Sequence, residues 1–170
     1  MTQPERLDYL IKHLLAERRE YADVSIPDGV PERRRLLRAL MNVRAPGPVG
    51  VDFLAVQDEY LQARLTERGV QRVEDLTPVE PGIYLWQGDI TTLSADGIVN
   101  AANSGMTGCY VPCHGCIDNA IHTYAGVQLR LECACIMAAQ GHEEPTGMAK
   151  ITNAYNLPAR RVLHTVGPIA

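Results

Sequence analysis

Within eight residues, Cys109, His114 and Cys116 set two thiols and an imidazole in the pattern C-x4-H-x-C. Thiolate and imidazole are ligands that zinc prefers, and three protein ligands leave a tetrahedral ion one position for water or substrate. Gly108 and Gly115 let the backbone fold around an ion, and Cys113 is a competing ligand that spacing does not exclude. Free cysteines also serve as small buried residues, and the run matches no standard zinc finger. Spacing alone therefore leaves a metal site and a packed loop both open. Cys133 and Cys135, two apart on a helix, point about 200° apart and cannot chelate together; they are assigned to packing.

Several polar residues surround this run. Asp118 falls in the first turn of the helix that follows, where a carboxylate complements the helix dipole. Asn100 and Asn103 flank the end of a strand, where side-chain amides close turns. Asp89 follows Gly88 as a turn residue, His122 lies one helical turn beyond Asp118, and His164 sits inside a late strand. Each has an ordinary structural reading that needs no function.

The elements that must position these groups follow from periodicity. An apolar strand at Ile83–Trp86 leads in, a strand at 98–101 precedes the cysteine loop, and a helix opens at Ile117-Asp118. Strand, loop and helix N-terminus in that order make an anion site, because the first N–H groups of a helix point outward unpaired. The helix is expected to kink near Ala125-Gly126 and to run to Gln140, with further strands at 149–155 and 161–166. Strands alternating with helices imply α/β organisation. Upstream, Leu7, Leu10, Ile11, Leu14 and Leu15 share one helical face, with Thr2 and Glu5 as a capping pair. A second helix begins at Pro31 and a third spans 52–68, ending at Gly69. This helical layer contains no catalytic spacing. Its run Arg33-Arg34-Arg35 with Arg38 reads as a solvated face in preference to a site for an anionic partner.

With 170 residues, 46% hydrophobic and 21% charged, the chain can build one good core or a small core plus an appendage. A net charge of −4 argues against non-specific binding to nucleic acid. No apolar run approaches the roughly 20 residues that span a bilayer. The N-terminus does not read as a signal peptide. The five cysteines, crowded between 109 and 135, fit a cytoplasmic protein better than a secreted disulfide scaffold.

Taken together, GDIT (88–91), GIVNAANS (97–104), CIDNAIHTYAG (116–126), QLRLEC (128–133), TGMAKIT (146–152) and LPARRVLHTVGP (157–168) resemble a macrodomain, the ADP-ribose-binding α/β module. The likeness covers residues 83–168. GCYVPCHGC replaces the usual glycine run before the helix, which resembles the zinc-dependent protein–ADP-ribose hydrolases, whose macrodomain follows a helical extension. The resemblance implies a three-layer α/β/α sheet, incomplete here, over residues 81–170, after a helical N-terminal extension over residues 1–80. It implies zinc on Cys109, His114 and Cys116. Asp89 would accept from the adenine amino group beside the Ile90 amide, and Asn103 would hold the distal ribose. Cys116, Ile117 and Asp118 would face the phosphates, with the Asp118 carboxylate near the attacking water. Asn103 and Asp118 are thus the implied catalytic residues.

The implied reaction is zinc-dependent removal of mono-ADP-ribose from acidic side chains. The implied partners are ADP-ribose and a modified protein, namely a lipoyl carrier resembling the glycine-cleavage H protein modified by a sirtuin-type transferase, with neither nucleic acid nor membrane. A non-catalytic reader with a structural zinc and an inactive fragment are the alternatives. The chain ends at Gly167-Pro-Ile-Ala170, after the fourth recognisable strand and before a second phosphate-binding loop, and it is expected to be truncated there.

Overall fold

The computed structural model describes residues 1–168; Ile169 and Ala170, at the expected final turn, lie outside them. Three helices come first: α1 (Gln3–Ala16), α2 (Val30–Val43) and α3 (Val51–Arg68). Thr2 and Glu5 form the expected capping box at the start of α1. Leu7, Leu10, Ile11 and Leu14 of α1 pack against Leu37, Leu40 and Met41 of α2 and against Phe53, Tyr60 and Leu61 of α3. Each such side chain, buried from water, contributes about 1.5–3 kcal/mol, so these helices hold a core of their own.

Four short strands follow: β1 (Gln71–Arg72), β2 (Pro78–Glu80), β3 (Ile83–Tyr84) and β4 (Leu93–Ser94). β1 pairs with β4 and β2 with β3, both outside the main sheet. The strand expected at Ile83–Trp86 is therefore only the second arm of a small hairpin, and Leu85 is 82% exposed. Its apolar character marks a strand correctly but leaves its pairing open.

The main sheet contains β5 (Gly97–Ala102), β6 (Ala149–Asn153) and β7 (Arg161–Val166), in the order β5-β7-β6. β5 runs parallel to β7, and β6 runs antiparallel to it. Between β5 and β6 the chain forms α4 (Ile117–Ala125) and α5 (Val127–Gln140), separated at the expected kink by Gly126 with φ +99°. A Cβ at Gly126 would stand 2.6 Å from Gln57 Nε2, so both the turn and the approach of α3 require glycine. Ile98, Val162, Ile121, Ala125, Leu129 and Cys133 form the second core. The opposite sheet face leaves Val99, Ile151 and Leu163 exposed. Among the described residues, helices α4 and α5 supply one layer, and the other layer of a three-layer sandwich is not seen. None of the described helices is long and apolar enough to cross a membrane.

The two cores are joined by amide hydrogen bonds. Gln57 accepts from Val127 N (3.0 Å) and donates to Gln128 (2.7 Å), and Asn42 donates to Thr123 Oγ1 (2.9 Å). Asn156 donates to Asp58 (2.7 Å). Such groups are buried at low cost only because each is paired.

Candidate metal centre and ligand site

The loop from Asn103 to Cys116 joins the C-terminal end of β5 to α4. Met106 (φ 59°) and Gly108 (φ +86°) turn it back over the sheet. A Cβ on Gly108 would lie 2.8 Å from the His122 ring, whereas Gly115 has open space around it and no left-handed φ. Of the two glycines expected to shape the loop, only Gly108 is sterically required.

Cys109, His114 and Cys116 converge, with their ligand atoms all within 4.8 Å of one another. Cys109 Sγ stands 3.7 Å from His114 Nδ1. A tetrahedral zinc with Zn–S about 2.3 Å and Zn–N about 2.0–2.1 Å places sulfur and nitrogen about 3.6 Å apart. The donor set and its spacing therefore fit that ion. Burial first, and then the neighbouring Cys109 and Asp118, push the Cys116 thiol above its ordinary pKa; a bound cation reverses that effect, because it stabilises the thiolate. Cys113 is not part of the cluster: its Sγ turns to Arg35 O of α2 (3.4 Å) and its N–H donates to Asn42 Oδ1 (2.9 Å).

Cys116 is also the N-cap of α4, accepting from Asn119 N at 3.4 Å. The Ile117 and Asp118 amides in the first turn have no carbonyl one turn back to receive them. Asp118 is 4% exposed. Its Oδ1 accepts from Asn100 Nδ2 at 2.8 Å, and Asn103 Nδ2 lies 3.5 Å from its Oδ2. Burial raises the carboxyl pKa, opposed by the Asn100 bond and by Arg130. Asn103 also donates to Gly108 O at 3.2 Å. His122 Nε2 lies 3.6 Å from Asp118 Oδ1, too far for a hydrogen bond, and burial holds its pKa well below the ordinary value. The pair is a neutral ring beside an acid and not an ion pair.

At the other end of the site, Asp89 caps a short 3₁₀ turn, accepting from Thr91 N (2.9 Å) and Thr91 Oγ1 (2.6 Å). Its second oxygen takes a 2.9 Å bond from Arg68, whose guanidinium stacks 3.7 Å above the Tyr124 ring. Ile90 opens that turn beside it. The structure thus brings Asn103, Cys116, Ile117 and Asp118 together around the α4 N-terminus, while Asp89 and Ile90 lie on a separate turn that packs against α4, with Ile90 in the same core as Ile117 and Tyr124.

Three residues hold the Asn103–Cys116 loop; Asn42 and Arg130 were not singled out from the sequence, and Arg38 was read only as part of a solvated face. Arg38 of α2 donates to Asn119 Oδ1 (2.7 Å) and to His114 O (2.9 Å), so the arginine run is not simply a solvated face; Arg33 likewise pairs with Asp8. Asn42 anchors Cys113. Arg130 of α5, 4% exposed, donates to the carbonyls of Met41 (3.0 Å), Asn42 (2.7 Å), Arg44 (2.7 Å) and Thr107 (2.8 Å). Cys133 is buried as expected, but Cys135 is exposed because it lies on the outer face of α5, so its assignment to packing does not hold. His122, Cys133 and His164 form a second, buried cluster of ligand atoms. Both ring nitrogens of His164 are already hydrogen-bonded, so His164 has no free nitrogen to offer a cation in this cluster.

A three-stranded mixed sheet with a ligand-bearing loop at its strand ends and a helix N-terminus beside it is the framework of a macrodomain. Residues 99–170 match the Macro domain model. The chain is 59% identical to a protein-ADP-ribose hydrolase of Treponema medium, over 99% of this chain and 66% of that protein. It is 49% identical to a protein-ADP-ribose hydrolase of Staphylococcus aureus, over 96% of this chain and 61% of that protein. The crystal structure of the Trypanosoma brucei macrodomain in complex with ADP-ribose is similar, with a TM-score of 0.52 and 33% identity over 76% of this chain and 59% of that one. The chain thus spans less than two thirds of the length of these relatives.

Proposed function

We propose that this chain carries the metal-loop side of a zinc-dependent protein-ADP-ribose hydrolase that releases mono-ADP-ribose from acidic side chains. The observation that carries this reading is the convergence of Cys109, His114 and Cys116 on the cap of the helix that bears the buried Asp118. Relatives named protein-ADP-ribose hydrolase support the substrate class. In this reading residues 1–80 are a helical extension that braces the loop, and residues 81–170 are macrodomain.

Cys109, His114 and Cys116 would hold zinc, which supplies Lewis acidity beside the distal ribose. The Ile117 and Asp118 amides donate to phosphate at the helix N-terminus. Asn103, already bonded to Gly108 O, offers its amide to the ribose. Asp118, whose carboxyl burial makes more basic than an exposed acid, takes the proton of the attacking water. Asp89 remains an acceptor for the adenine amino group. Thiolate ligands require a reduced compartment, which supports a cytoplasmic setting. A mono-ADP-ribosylated lipoyl carrier made by a sirtuin-type transferase is the proposed substrate.

The test separates binding from chemistry. Asn103→Ala and Asp118→Ala are expected to slow turnover by about 10²-fold or more, a larger effect than on affinity for free ADP-ribose. Asp89→Ala should raise KM and leave kcat, because its contact is the same in ground and transition states. Loss of affinity without loss of kcat in the Asp118 variant would remove it from the chemistry.

A further inference from the structure

Behind Asp118 stands a line of buried side chains that none of these roles uses. Asn100 of β5 and His164 of β7 are direct partners in the parallel register, and both are fully shielded from solvent. Asn100 Nδ2 lies 2.8 Å from Asp118 Oδ1 and 3.0 Å from His164 Nδ1. On the far side of the ring, His164 Nε2 lies 3.0 Å from Thr152 Oγ1 of β6.

With Asp118 ionised, one arrangement of protons satisfies this line. An ionised carboxylate accepts and cannot donate, so Asn100 must turn its amide nitrogen, not its oxygen, toward Asp118. The second N–H of that nitrogen then meets His164 Nδ1, which must be a bare acceptor. The imidazole is therefore neutral with its proton on Nε2, donated to Thr152 Oγ1. A flipped amide would set oxygen against the carboxylate oxygen and leave His164 Nδ1 without a donor. Asn100 Oδ1 has no partner among the described residues, so the bonds of the nitrogen decide the orientation. Burial supports the neutral ring by lowering the His164 pKa to about 4.

We propose that His164 is a positioning residue: by clamping the Asn100 amide it fixes the rotation of the Asp118 carboxylate, holding Oδ1 inward and leaving Oδ2 on the Asn103 side. The proposal rests on the hydrolase reading for its catalytic consequence. The tautomer it requires can be measured independently of turnover.

The test uses His164→Asn, His164→Gln and His164→Leu in the full-length, zinc-loaded protein. The Asn oxygen takes the place of Nδ1, whereas the Gln amide reaches toward the Nε2 position. His164→Asn is expected to keep the single-turnover rate within about 3-fold, while the Gln and Leu variants lose about 10–100-fold, as a misplaced reacting group does. Affinity for free ADP-ribose should stay unchanged in all three. Rates that follow the melting temperatures of the variants, or Gln tolerated better than Asn, would show mere packing and overturn the proposal. Nitrogen-15 spectra of the wild-type imidazoles should show His164 neutral and protonated on Nε2; an Nδ1–H or charged ring overturns it whatever the turnover. If the wild type releases no ADP-ribose, the hydrolase reading fails, and the tautomer alone decides whether the clamp exists.

Discussion

Arg130 ties the helical extension to the metal loop, and its removal should cost both stability and metal. Its guanidinium makes four hydrogen bonds of 3.0 Å or less, three to the end of α2 and one to Thr107. It also lies 4.3 Å above the Tyr110 ring. Three of these bonds leave Nη1, which has two hydrogens, so three N–H groups serve the four carbonyls. At about 1.5–3 kcal/mol net for each bond from a charged group, a simple sum would be about 4.5–9 kcal/mol. Desolvation of the cation offsets several kcal/mol of that, and water can reach the Arg44 carbonyl in the half-exposed residue at the end of α2. Arg130→Met, which keeps the bulk and loses every donor, should therefore destabilise by about 3–5 kcal/mol. Arg130→Lys, with a point charge that cannot fork among four carbonyls, should fall between. With the Thr107 carbonyl and, at 3.5 Å, the Cys109 carbonyl released from Arg130, zinc affinity should drop about 10–100-fold, the usual effect of removing a group that holds ligands in place. Urea unfolding and competition with a chromophoric chelator measure the two effects. A loss under about 1 kcal/mol in the Met variant, with zinc affinity unchanged, would refute the bracing role.

Substitution of Cys109, His114 or Cys116 by Ala should each abolish stoichiometric zinc by mass spectrometry, whereas Cys113→Ala and Cys133→Ala should retain it; zinc kept by a Cys109→Ala/Cys116→Ala double variant would move the site elsewhere. Acid should weaken the fold of the metal-free protein. His164, with a folded pKa of about 4, stays neutral while the unfolded chain takes up a proton below about 6.5, so stability rises with pH across that window and is lost as pH falls through it. The loss by pH 4 is about 3 kcal/mol from this residue, with His122 adding in the same direction and the raised Asp118 carboxyl opposing near the acid end. A flat urea-unfolding profile from pH 7 to 4 would contradict two neutral buried rings.

Much of the fold was legible because its signals are local. Strand β7, the Gly126 break and the Thr2–Glu5 cap depend on residues within one turn or one strand of each other, and they lie where periodicity placed them. The ligand triad was legible in part, since Cys109, His114 and Cys116 sit within eight residues; spacing could not exclude Cys113, which Asn42 and the Arg35 carbonyl draw away. What escaped is non-local. Arg130 bonds to a carbonyl 89 residues earlier, and Arg38 to an amide 81 residues later, and no window of sequence contains both partners. The hairpin at Ile83–Tyr84 shows the same limit, because an apolar run marks a strand without naming its neighbour. Asn100 read as a turn-closing amide and His164 as an ordinary strand residue, because only the register of β5 against β7 makes them partners.

The most direct test is single-turnover release of labelled ADP-ribose from a protein modified on an acidic side chain, comparing full-length protein that is zinc-loaded, chelated and reconstituted. The expected result is release with zinc, a fall of about 10²-fold or more on chelation, as when an electrostatic stabiliser of the transition state is removed, and recovery when zinc is restored. Release at an unchanged rate after zinc is stripped, or tight binding of ADP-ribose without release while zinc is in place, would contradict it.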